Sequence, residues 1–121
     1  MAERDISAEI RALDLTLADI EKVLDVPHLR SEVSRLENEA GAPDLWNDPE
    51  NAQRVTSALS RVQGTLAKVV ALRNRITDLP VMIELAAAEP GSGAQEEVVK
   101  ELDSLTSAIG DLEVQTLLSG E

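Results

Sequence analysis

The chain has 121 residues, a formal net charge of -12, one Trp, no Phe, no Tyr and no Cys. That length suits a single domain with an ordinary buried core, and the missing cysteines exclude disulfide scaffolds, thiolate zinc sites and cysteine nucleophiles while permitting a reducing, cytoplasmic setting. The start MAERDIS is charged with no apolar signal core behind it, and no apolar run nears the length that spans a bilayer, so the chain reads as soluble with no membrane partner.

In the first segment apolar residues fall at Ile6, Ile10, Leu13, Leu17, Ile20 and Leu24, alternating steps of four and three. This stripe predicts a coiled-coil-like helix starting near Asp5 or Ser7 and stopping near Asp25, because Pro27 restricts the residue before it and lacks an N–H. A shorter stripe at Leu29, Val33, Leu36 and Ala40 predicts a second helix, ended by Gly41, Ala42 and Pro43. The two are expected to pair as an antiparallel hairpin.

The stretch DLWNDPENAQRV follows, from Asp44 to Val55. Asp48 suits an N-cap, Pro49 the first helical position, and Glu50 the positive end of the helix dipole. Trp46, just before that cap, is expected to fold back and plug the corner between the second and third helices, which makes Trp46, Asp48 and Pro49 a structural anchor. Truncating a fully packed ring there would cost about 3 to 5 kcal/mol.

The rhythm resumes at Ala52, Val55, Leu59, Val62, Leu66 and Val69 and drifts through Leu72, Ile76 and Leu79, predicting the longest helix. Gly64 inside it suggests a close neighbouring helix. Pro80 is expected to break the pattern and open a short helix over 81–88. After the loop EPGSG, Ser92 and Gln95 stand in capping-box spacing, and Val98, Leu102, Leu105, Ile109 and Leu112 mark a last long helix. A strand is conceivable only over Thr116 to Ser119. The fold class is therefore all-α: an antiparallel up-down helical bundle with coiled-coil-like packing, three long helices and one or two shorter ones.

No catalytic, cofactor or metal site is assigned. His28 with Asp25 three residues earlier imitates half of a bundle metal pair, but the further inward-facing carboxylates are lacking. The GSG at Gly91 to Gly93 fails as a dinucleotide loop, since Glu96 stands in the third glycine position and no strand precedes it. Charge is uneven: residues 1–80 carry net -4 and residues 81–121 net -8. Such acidity disfavours bare nucleic acid and favours a basic protein partner, with Glu96, Glu97 and Glu101 as the candidate docking face; for a charge run alone, plain solvation is the preferred reading.

The Trp-Asn-Asp-Pro core at Trp46 to Pro49, the ELAAAEP segment and the closing Leu118-Ser119-Gly120-Glu121 together resemble the N-terminal helical domain of the bacterial peptide chain release factor 2 family, over essentially the whole chain. The resemblance implies a fragment, residues 1–121, of a class I factor acting in translation termination at UAA and UGA, with 117–121 leading toward decoding and catalytic domains. It implies contacts with the ribosome at the large-subunit stalk base near protein L11 and with release factor 3, and a cytoplasmic location. The family's Ser-Pro-Phe codon-reading and Gly-Gly-Gln hydrolysis motifs are absent, the chain having no Phe and no two adjacent glycines, so it is expected not to be an enzyme by itself. Two features depart from the family pattern: the glycine-rich EPGSGA loop, and the open end of the last helix at Thr116 to Leu118. The competing reading is a stand-alone helical bundle or coiled-coil adaptor for a basic protein.

Overall fold

The computed structural model describes residues 4–118; the expectations placed on Ser119, Gly120 and Glu121 lie outside them. The chain is all-α. Helix α1 spans Ile6–Leu24, α2 Val26–Ala40, α3 Pro49–Ala88 and α4 Ala94–Glu113, with a 3-10 turn at Leu45–Asn47 and a π-helical turn at Val114–Leu118. From Thr116 to Leu118 that last turn replaces the strand considered there.

The helices sort into two compact units. One comprises Leu24–Val70. In it Leu36 of α2, Leu45 of the turn, and Ala52, Val55 and Val62 of α3 form a core onto which Leu29, Val33 and Leu59 pack. The other comprises the chain up to Val23 together with Ala71 onward. There the predicted stripes go inward: Leu13, Leu17 and Ile20 of α1, Leu72, Ile76, Leu79 and Ala86 of α3, and all five stripe positions of α4 from Val98 to Leu112 are buried.

Where a hairpin loop is expected between α1 and α2, a single residue, Asp25, separates the two helices. Asp25 takes a left-handed conformation (φ 56°), and its carboxylate accepts the His28 N–H at 3.2 Å. It thereby caps α2, which starts at Val26 with Pro27 in the first turn, where a missing N–H has no helical partner to lose.

Pro80 does not end a helix either. α3 runs 40 residues straight through it, about 60 Å at 1.5 Å per residue. An interior proline costs roughly 3 kcal/mol. The offset is burial on both sides: the steps of four and three from Leu72 through Ile76, Leu79, Ile83 and Ala86 keep one face inward, and breaking the helix at Pro80 would turn Ala86 out of a buried position.

Two local expectations change as well. Nothing lies within 4 Å of a Cβ built on Gly64, so no neighbouring helix explains that glycine. The capping box at Ser92 and Gln95 is not formed; Gly93 (φ 87°) precedes α4 without a side-chain cap, and the Ser92 hydroxyl instead accepts the Ala94 N–H at 3.3 Å. Gly91 (φ 85°) is also left-handed, so the loop owes its glycines to backbone geometry.

These positions predict opposite outcomes for one kind of substitution. Gly64→Ala should raise stability by about 1 kcal/mol, from helix propensity in open space. Gly93→Ala should lower it by about 1 to 2 kcal/mol, from the left-handed backbone. Urea denaturation midpoints of the two variants, moving in opposite directions about the parent, check both.

Candidate functional site

The turn between α2 and α3 carries the chain's one aromatic side chain. Gly41 closes α2 by donating its N–H to the Glu37 carbonyl at 3.0 Å. Pro43 follows, and the 3-10 turn is then fixed by the Asn47 N–H on the Asp44 carbonyl at 3.0 Å. Asp48 begins α3: its carboxylate accepts the Asn51 N–H at 3.2 Å, and its carbonyl accepts the Ala52 N–H at 2.9 Å. Pro49 is the first residue of the helix and Glu50 sits in its first turn.

Trp46 is not the plug that the sequence suggests. Its residue is 63% exposed, while Leu45 beside it is 7% exposed and belongs to the core with Leu36 and Ala52. A 3-10 turn has three residues per turn, so neighbouring side chains point about 120° apart, and seating Leu45 inward sends Trp46 outward. The corner is anchored by Leu45 and capped by Asp48. Its sequence neighbours Asp44, Asn47, Asp48 and Glu50 are exposed as well.

The acidic face expected on α4 is also smaller than three residues. Glu96 and Glu97 are exposed in its first turn, Glu97 lying 4.0 Å from Lys100. Glu101 is engaged from α3. Arg75 donates to both of its carboxylate oxygens at 2.8 Å and to the Ser104 hydroxyl at 2.9 Å. That bidentate hydrogen bonding holds the Glu101 carboxyl below its ordinary pKa against the opposing effect of partial burial. Glu101 is a structural partner of α3, and a lysine in its place would face Arg75.

Two residues before, Arg73 performs the same function toward α1. It donates to both oxygens of Glu21, at 3.0 and 2.7 Å, and also pairs with Asp14. Arg73 and Arg75 flank the stripe residues Leu72 and Ile76, so each reaches past a different edge of the buried seam. Neither was singled out from the sequence, although two arginines bracketing an apolar stripe in an acidic chain are the signal that would have found them.

Among the described residues no group of His, Asp or Glu is placed to hold a metal ion, and no helix is long and apolar enough to cross a membrane. His28 lies 3.3 Å from Glu32 on the surface of α2.

Comparison with known proteins adds a family. A profile described as the PCRF domain matches residues 29–121. Peptide chain release factor 2 of Salinispora tropica is 49% identical over 121 residues, covering all of this chain and 32% of the relative. The corresponding protein of Mycobacterium tuberculosis is 53% identical over 120 residues, covering 97% and 32%, and that of Acidothermus cellulolyticus 50% identical over 121 residues, covering 100% and 33%. The chain thus spans about a third of the length of the curated relatives it matches.

The geometry of the turn predicts that Leu45→Ala costs about 2 to 4 kcal/mol by opening the core, whereas Trp46→Ala stays within about 0.5 kcal/mol of the parent. Chemical denaturation of the two variants checks the contrast. The Arg75–Glu101 pair predicts a pH dependence. A carboxylate whose folded pKa is lowered contributes stability that is fully present above the unfolded value, about 4.3, and lost as pH falls through the lowered folded value. Stability should therefore drop on acidification below about pH 4.5, and Glu101→Gln should flatten that drop; thermal melts across the acid range measure it.

Proposed function

The chain belongs to the PCRF domain family, and from that membership we propose that it serves as the N-terminal helical domain of a class I peptide chain release factor in translation termination. The observation that carries this reading is the match to release factor 2 relatives at about half identity along the whole chain, including both helical units and the turn between α2 and α3.

In this reading the intact factor recognises UAA and UGA in the cytoplasm and triggers hydrolysis of peptidyl-tRNA, with residues 117–121 leading toward the domains that do so. This chain has no Phe and no adjacent glycines, so it holds neither Ser-Pro-Phe nor Gly-Gly-Gln. The domain's contribution is binding and positioning at the ribosomal stalk base near protein L11, and toward release factor 3. Exposed Glu96 and Glu97 at the positive end of the α4 dipole, in the more acidic third of the chain, suit a basic protein surface there.

A chimera tests this: the chain replaces the matching third of a release factor 2 relative, and stop-codon-dependent peptide release is measured on programmed ribosomes. The expected result is release near that of the parent factor by the chimera, and none by the isolated chain. A folded chimera that binds ribosomes no better than a factor lacking the domain would contradict the reading, as would release by the isolated chain.

A further inference from the structure

Trp46 is the largest exposed apolar side chain of the described residues, and the packing of this unit gives it no role. The turn is held from inside by Leu45, and α3 is capped by Asp48, so both structural tasks at the corner are already met. An indole left 63% exposed on a short, hydrogen-bonded turn is preorganised for contact, because little side-chain or backbone freedom remains to be lost on binding. Trp is also the residue type most enriched where single side chains dominate an interface.

The surroundings of the ring specify the kind of partner. Between residues 39 and 54 the charged side chains are Glu39, Asp44, Asp48, Glu50 and a single cation, Arg54. Arg54 is turned onto Asn51, and Glu39 is already paired with Arg35. Asp44 makes no capping hydrogen bond, and Asp44, Asp48 and Glu50 are all exposed. A depression of about 360 Å³ on the same turn is lined by Asp44, Leu45, Asn47 and Asp48, among others. An exposed π-face attracts a cation over the ring, and exposed carboxylates within four residues of it in sequence are there to offer that cation oxygens.

We propose that Trp46 with Asp44, Asp48 and Glu50 forms a docking surface for an arginine-bearing segment of a basic protein. A guanidinium stacks on the indole and its fork reaches a carboxylate, which an ammonium does less well. RNA also stacks bases on tryptophan, but its phosphates would meet three carboxylates. Anionic lipid headgroups meet the same repulsion. A second copy of this chain, at net charge -12, would bring acid against acid. The surface lies within the Leu24–Val70 unit and does not depend on the function proposed above.

With no other Trp or Tyr in the chain, Trp46 fluorescence reports its own surface. The test titrates the protein with a short alternating arginine–glycine peptide, its lysine counterpart and a short uridine oligonucleotide. The expected result is saturable quenching by the arginine peptide, weaker binding of the lysine peptide, and none of the oligonucleotide. By calorimetry, Trp46→Ala should weaken the arginine peptide by roughly tenfold, and Asp44→Asn with Glu50→Gln should weaken it and flatten its salt dependence. Glu96→Gln with Glu97→Gln on α4 should leave it unchanged. Circular dichroism confirms that each variant is folded. Unchanged affinity in Trp46→Ala, equal losses from the two acidic pairs, or tighter binding of the oligonucleotide than of the peptide would each overturn the assignment.

Discussion

One helix has to furnish the apolar face for two cores. α3 places Ala52, Val55 and Val62 in the unit with α2, and Leu72, Ile76, Leu79 and Ala86 in the unit with α1 and α4. It does so with an apolar seam spaced by threes and fours, two threes falling in succession from Leu66 through Val69 to Leu72. Everything else attaches to that seam. Arg73 and Arg75 bracket it and bind carboxylates of α1 and α4; Leu45 closes one core at the start of the helix. The persistence of the seam outweighs the proline within it. An interior proline removes one hydrogen bond and crowds one carbonyl, a local loss, whereas ending the helix at Pro80 would surrender the burial of the turns beyond it.

The turn before α3 divides its tasks between adjacent residues. Leu45 packs, Asp48 caps, and Trp46 between them is exposed. A side chain this large is ordinarily read as core material, and in a chain without Phe or Tyr that reading is stronger still. The orientation is decided by the three-residue period of the turn, since only one of two successive positions can face inward. A contact role for Trp46 and a packing role for Leu45 are thus two consequences of one backbone geometry. Of the acidic residues next to it in sequence, Asp48 caps α3 whereas Asp44 makes no capping hydrogen bond, which leaves the Asp44 charge available to whatever meets the surface.

What the sequence makes legible follows from what kind of physics each feature obeys. Periodicity is a property of consecutive residues, so the α1 and α4 stripes, the inward positions of α2 and the cap at Asp48 can be read directly from Ile6 to Leu112. The all-α class follows from the same patterns. Features decided by competition between local preference and distant packing are not legible in that way. Pro80 argues locally for a break, and only the burial of Ala86 beyond it reverses the outcome. Asp25 and Pro27 argue for a loop, yet a single left-handed aspartate separates the two helices and caps the second. Glu101 looks like its neighbours Glu96 and Glu97 until Arg75, 26 positions away, is found holding it. Gly64 and Gly93 are indistinguishable as letters; the first sits in open space and the second in a left-handed conformation that suits glycine.

The continuity of α3 is the claim on which the rest stands, and backbone chemical shifts across residues 72–88, read residue by residue in solution, address it most directly. The account predicts helical carbon shifts running without interruption from Leu72 through Pro80 to Ala86, with slow amide exchange at Ile83 and Ala86 matching that at Ile76. A stretch of coil-like shifts and fast exchange at residues 79–82, separating two helices, would contradict it.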